Sequence, residues 1–194
     1  MSSEKTKDQI LSATIRLLTQ NIDPTKITAR RIAEEAKVNL AMINYYYDTK
    51  DALIHKAVEK ILNDRAQELK QPLPDGETPR EQLKDFLIQL SDMTVQYAEL
   101  TRISVPFVIL QGDLEPPLFI LPFLRQHFGN TRSETECRIL AYQLISFCQL
   151  AFLRAQDFQK YLHVDVLEKS QRDALLETLL KLFVPPPNEE KAAF

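Results

Sequence analysis

Apolar residues recur at three-and-four spacing along most of the chain, the pattern of helices that each bury one stripe. Over about residues 4–20, Ile10, Ala13, Thr14, Leu17 and Leu18 form such a stripe, and NIDP ends it. Thr28 is placed to cap free backbone N–H groups, opening a short helix that turns Ile32 and Ala33 inward and stops near Ala36. Asn39 is the expected cap of a second short helix that runs to about Tyr46 or Tyr47. Asp48 or Thr49 then caps a long helix with Leu53, Ile54, Ala57, Val58, Ile61 and Leu62 on its buried side. Pro72 to Glu77 reads as a linker. After it, Thr78 and Glu81 with Pro79 at the first helical position have the capping-box pattern, which starts a fifth helix reaching about Leu100. Pro106, Pro116, Pro117 and Pro122 divide the middle of the chain into short pieces. A long helix follows over about Arg132 to Ala155, and a last one over Ser170 to Val184, stopped by Pro185, Pro186 and Pro187; the NEEKAAF tail is expected to fray. The expectation is an all-α chain of about nine helices. With 3 Gly and no long alternating β-branched run, the sequence lacks the signals of hairpins and sheets.

Composition bounds the class. The chain has 194 residues, 44% hydrophobic and 26% charged, in the range of folded globular proteins. Its net charge of -3 hides an asymmetry: residues 1 to 60 hold 10 Lys/Arg against 8 Asp/Glu, and the remainder 14 against 19. The basic excess lies at the N-terminal end. LFILPFL at 118–124 is the most apolar stretch and far too short to span a bilayer, and no leader pattern opens the sequence. A cytoplasmic protein without membrane contact is expected. Cys137 and Cys148, in one predicted helix, are roughly 16 Å apart along its axis at 1.5 Å per residue, too far to bridge, and read as small buried residues. His55, His127 and His163 have no ligand spacing with each other or with the cysteines, so no metal or cofactor is expected.

One segment carries chemistry. In TARRIAEEAKVNLAMINYYYDTK, two short helices are joined by a short turn and braced by a helix on either side, as a reader of the DNA major groove requires. Ile32, Ala33, Val38 and Ile43 have the spacing to form a small core that fixes the angle between the two. Leu40, Ala41, Asn44 and Tyr45 then point outward, a set suited to base edges and thymine methyls. Arg30, Arg31, Lys37 and Lys50 surround them with positive charge for phosphates.

Residues 10 to 56, about a quarter of the chain, resemble the N-terminal signature of the TetR family of transcriptional regulators. The similarity lies in ITARRIAEEAKVNLAMINYYYDTKDAL: a Thr-capped helix, an Ile-Ala pair, a Val-led turn, an aromatic-rich recognition helix and a Lys opening the next helix. The resemblance implies that Thr28 binds a phosphate and that Arg30 reaches a base or a nearby phosphate, with Arg31 beside it. Leu40, Ala41, Met42 and Asn44 would face the groove, Tyr45 and Tyr46 would touch phosphate or sugar, and Lys50 would pin the backbone. Tyr47 matches the family's core aromatic. Three positions depart from the pattern. Lys37 stands where a turn Gly is usual, Asn44 replaces a frequent Tyr and Ala41 a frequent Gly, so no operator sequence carries over.

The resemblance further implies a division into a helix-turn-helix DNA-binding domain over residues 1–50 and a larger helical effector-binding and dimerisation domain over residues 51–194. Cys137, Ala141, Leu144, Ile145, Cys148 and Phe152 on the late helix, with Leu175, Leu176, Leu179 and Phe183 on the last, resemble the family's four-helix dimer interface. A homodimer would present two recognition helices to a pseudo-palindromic operator in double-stranded DNA. The aromatic-rich set Phe86, Met93, Tyr97, Phe107, Phe119, Phe123 and Phe147 is the candidate site for a small apolar effector that tilts the fourth helix and releases a repressor. Ordinary core packing is the competing reading of that set. A helical protein-interaction regulator of the same fold without a small-molecule ligand is the alternative for the whole chain. An enzyme is not expected: no Ser-His-Asp order, metal cluster, phosphate-cradling Gly loop or carboxylate pair is apparent.

Overall fold

The structure, a computed structural model, describes residues 3–20, 26–68, 77–110 and 114–186. Among them the backbone forms ten α-helices, a short 3-10 helix at Pro116–Phe119 and no strand. The helices are α1 (Ser3–Thr19), α2 (Ala29–Ala36), α3 (Ala41–Tyr47), α4 (Lys50–Glu68), α5 (Pro79–Gln96), α6 (Ala98–Leu110), α7 (Leu121–Phe128), α8 (Glu134–Leu153), α9 (Ala155–Leu162) and α10 (Lys169–Phe183). NIDP, most of the Pro72–Glu77 linker and the NEEKAAF tail lie outside the described residues.

Two compact units are distinguished: Met1–Glu68 with Ala98–Phe107, and Leu69–Tyr97 with Val108–Phe194. In the first, α1 packs on α2 and α4, because the expected stripes are the buried ones: Ile10, Ala13, Leu17 and Leu18 on α1, Leu53, Ile54, Ala57 and Val58 on α4. Thr14 shares that apolar face at no exposure since its hydroxyl donates to Ile10 O at 2.9 Å, leaving no unmet polar group. The unit therefore includes the whole of α4.

The second unit is built on one cluster drawn from Leu83, Phe86 and Leu87 of α5, Leu121, Leu124 and Phe128 of α7, most of the inward face of α8, and Leu176, Leu179 and Leu180 of α10. The Thr78 capping box forms as expected, Thr78 Oγ1 accepting from Glu81 N–H while the Glu81 carboxylate accepts from Thr78 N–H at 2.8 Å. An equivalent box at Ser133 and Glu136 starts α8. Lys84 and Arg80, both paired with Glu177 at 2.8 and 2.9 Å, tie α5 to α10.

This cluster corrects the expected dimer face. Cys137, Ala141, Leu144, Ile145, Phe152, Leu176 and Leu179 are buried within the single chain, and Cys148 and Phe183 pack against the same core. Leu175 is half-buried. Side chains sealed in the subunit's own interior are not presented to a partner; the periodicity identified a buried stripe correctly but not what buries it. The outer face of α8 carries exposed Ile139, Tyr142 and Leu150 instead.

Other boundaries also differ. The fifth helix stops at Gln96, where Tyr97 leaves helical geometry (φ -104°, ψ 36°), and α6 begins at Ala98. Pro106 does not end α6: the carbonyl its missing N–H would have served belongs to Arg102, which is exposed and open to water. An unforeseen helix, α9, follows a break at Arg154 and ends at His163 in left-handed backbone (φ 56°, ψ 32°). No helix among the described residues is long and apolar enough to cross a membrane.

Candidate nucleic-acid interface

Helices α2 and α3 are separated by residues 37–40. Thr28, in extended backbone, caps α2 by accepting the Arg31 N–H at 3.2 Å. The cap uses a lone pair of the hydroxyl and leaves its hydrogen available to an acceptor. Ile32 and Ala33 are buried, Val38 is half-buried, and Ile43 anchors α3 with no exposure. Gln9 of α1 donates to Ala36 O at 2.9 Å, and Arg16 pairs with Glu35 at 3.0 Å, so the C-terminal end of α2 is held on α1.

Lys37 ends α2 in the left-handed region (φ 55°, ψ 43°), with its N–H directed to Ala33 O and Glu34 O. The usual turn geometry is thus kept without glycine. Asn39 acts as the expected cap, its Oδ1 accepting the Ala41 N–H at 2.9 Å. At the far end of α3, Asp48 has φ 59° and ψ -50°, and Thr49 N–H donates to Tyr47 O at 2.6 Å. That is a γ-turn about a residue of positive φ, a rare and strained conformation. Thr49 Oγ1 then caps α4 by accepting the Ala52 N–H at 3.0 Å.

These ends fix which side chains face out. Tyr47 is buried, its hydroxyl donating to Lys7 O at 3.0 Å and its ring under Lys7 Nζ at 5.7 Å. Burial, reinforced by the Asp8 charge, pushes its hydroxyl above the ordinary tyrosine range. On the opposite side, Leu40 is 47%, Met42 39% and Tyr45 76% exposed, with Ala41 and Asn44 also exposed between them. Tyr46 is half-buried and meets Tyr45 edge-on at 4.9 Å. Arg30, Arg31 and Lys37 are exposed, and none forms an ion pair among the described residues. Lys50, half-buried, pairs with Asp51 at 3.3 Å. The ten residues expected to touch DNA thus lie on α2 with Thr28 just before it, on α3 with Leu40 just before it, and at the first residue of α4. Missing from the sequence reading was the γ-turn at Asp48, because Asp before Thr reads as a helix cap and carries no signal of such a turn.

The seven candidate effector residues are divided. Phe86 and Met93 are buried, and the Phe86 and Phe123 rings lie 5.8 Å apart. Phe119, Phe123 and Phe147 are partly buried against the same core, and Tyr97 is half-buried. Phe107 belongs to the first unit, where it stacks on His55. A small pocket in the second unit, about 20 Å³, is lined by Val108, Ile109, Leu114, Pro116, Pro117, Tyr142, Ile145, Ser146 and Gln149. It holds about one water and includes none of the seven. Burial raises the thiols of Cys137 and Cys148, the latter to about 12, which leaves both protonated.

Over 97% of this chain and 97% of its counterpart, the backbone matches the crystal structure of a TetR-like transcriptional regulator from Rhodococcus sp. RHA1, with a TM-score of 0.53 and 16% sequence identity. The chain has a TetR-like fold. No family model matches the sequence, and no curated protein matches it. Within the TetR-like fold, α3 (AMINYYY) contains no charged residue.

Proposed function

We propose that this chain is a sequence-specific, DNA-binding transcriptional regulator, acting in the cytoplasm as a homodimer and released from its operator, as a repressor, by a small apolar effector. The observation that carries the reading is the uncharged, outward α3 face, preceded in the chain by the exposed cations Arg30, Arg31 and Lys37, none of which forms an ion pair among the described residues. Apolar and amide side chains suit base edges, and cations suit the phosphates on either side of a groove. The Thr28 hydroxyl and Lys50 add phosphate-binding groups at the starts of α2 and α4. DNA reading is assigned to residues 1–50, with α4 bracing them, and effector binding and dimerisation to residues 51–194.

Two copies would set their α3 helices about 34 Å apart, one turn of the duplex. The outer face of α8, with Ile139, Tyr142 and Leu150 exposed, is the surface we assign to that pairing. For the effector, the half-buried rings of Phe119, Phe123 and Phe147 beside the second unit's core are the favoured contacts. An effector acts only through its differential affinity for the two states of the dimer.

The test is retention of genomic DNA fragments on the full-length protein across a salt series. Enrichment of a few pseudo-palindromic fragments, with affinity falling steeply as salt rises, supports the reading. Retention of no DNA even at about 50 mM salt defeats it.

A further inference from the structure

We infer that α3 reads a contiguous run of A·T base pairs, through one adenine edge and several thymine methyls. The inference rests on the DNA-binding reading above and adds the class of sequence bound.

Each base edge in the major groove demands a particular partner. Guanine offers two acceptors and calls for the double donor of Arg or Lys. Cytosine offers a donor and calls for the carboxylate of Asp or Glu. Adenine offers an acceptor beside a donor, which a carboxamide matches on both counts, and thymine offers an acceptor beside a methyl group that takes apolar contact. The seven residues of α3 hold no Arg, Lys, Asp or Glu. Its outward set is Leu40, Ala41, Met42, Asn44 and Tyr45. Two of the four base edges therefore find a partner on this helix, and two do not.

The geometry narrows the assignment further. Asn39 Oδ1 is committed to the Ala41 N–H at 2.9 Å, which leaves Asn44 as the carboxamide able to use its oxygen and its nitrogen together. Leu40 and Met42 are large apolar side chains held in water at 47% and 39% exposure on a helix whose inner side is anchored by buried Ile43 and Tyr47. Apolar side chains so placed suit thymine methyls, and the exposed cations Arg30 and Arg31 of α2 and Lys37 of the turn before α3 favour a polyanion over an apolar protein surface. Guanines outside the run are left to Arg30 and Arg31 on α2.

The experiment is selection by the full-length protein from random-sequence duplexes, followed by substitution of deoxyuridine for thymidine in the selected run, which removes the methyl and nothing else. A run of about three or four A·T pairs in each half-site is expected, the span one recognition helix covers. Affinity should then fall about two- to five-fold for each contacted methyl removed, and Asn44→Ala should lose the preference for adenine at a single position. Selection of a G·C run, or undiminished binding to the deoxyuridine duplex, overturns the inference while leaving the regulator reading in place. Failure to select any sequence above random overturns both. Asn44 is exposed, so the variant is expected to fold; a circular dichroism melt matching the parent chain establishes that loss of preference is a contact effect.

Discussion

The His55 imidazole lies nearly flat on the Phe107 ring, centroids 3.6 Å apart and planes 28° from parallel, joining α4 to α6 within the first unit. His55 is 8% exposed and its Nδ1 has no hydrogen-bond partner among the described residues. Burial lowers its pKa below the ordinary histidine value, with Glu59 opposing and Lys56 assisting. Because the folded-state value is the depressed one, His55 is neutral in both states above about pH 6.5, and the unfolded chain takes up the proton first as pH falls. Stability is therefore full above that pH and lost progressively below it. Thermal melts between about pH 7.5 and 5.5 should show a declining midpoint, and His55→Leu should flatten the part of the slope in that window; an unchanged slope in the variant removes His55 as its source.

Lys37 holds left-handed backbone at φ 55°. Such a conformation costs a side-chain-bearing residue about 1–2 kcal/mol, of which glycine's greater freedom in the unfolded chain gives back a part. Lys37→Gly should stabilise the protein by about 0.5–1 kcal/mol in urea denaturation, whereas Lys37→Ala should not.

Lys50 stands at the first residue of α4, outside α3 and its proposed reading face. Lys50→Ala should weaken binding to selected and random duplexes alike and reduce the slope of log affinity against log salt by about one. A loss confined to the selected sequence would move Lys50 from phosphate to base.

Tyr142 is exposed on the outer face of α8 while Leu144, two residues on, is sealed in the core. Tyr142→Glu should shift sedimentation from dimer to monomer with little change in the melting of the subunit. Leu144→Ala should do the reverse, lowering stability by about 2–5 kcal/mol through the cavity it leaves. A dimer untouched by Tyr142→Glu would place the pairing on another surface.

Arg172, buried at the start of α10, donates to Val166 O and Leu167 O at 3.0 and 3.1 Å and pairs with Asp92 of α5. Burial works to raise the Asp92 carboxyl, but hydrogen bonds from Lys169 and Arg172 hold it below the usual range. Arg172→Ala should cost about 2–3 kcal/mol. Arg172→Lys should recover little of this in urea denaturation, since one ammonium cannot reproduce the guanidinium fork that reaches two carbonyls and a carboxylate.

The parts of the fold legible in the sequence are those decided locally. Thr28, Asn39 and Thr78 cap the helices they were expected to cap, and of the two candidates Asp48 and Thr49 it is Thr49 that caps α4, because a hydroxyl or amide three or fewer residues from a free N–H needs no tertiary help. The outward side of α3 was legible for a related reason: Ile43 and Tyr47, four residues apart, fix the inner face and leave the rest outside. What the pattern could not carry was the identity of the neighbour. The stripe from Cys137 to Phe152 reads the same whether another helix of its own chain or a second copy lies against it, and Phe107 reads the same whether it meets an effector or His55. Breaks at Tyr97 and Arg154 escaped because neither Gly nor Pro marks them.

Helix α3 begins just beyond one residue of positive φ, Lys37, and ends at another, Asp48. With both ends fixed in backbone that ordinary residues adopt reluctantly, adding or removing a residue between them would break a turn as well as rotate the helix. On the proposed DNA-reading role, a change of target is thereby confined to exchange of side chains at a few outward positions, and chains of this fold that read different targets should keep the length of this segment while its letters vary.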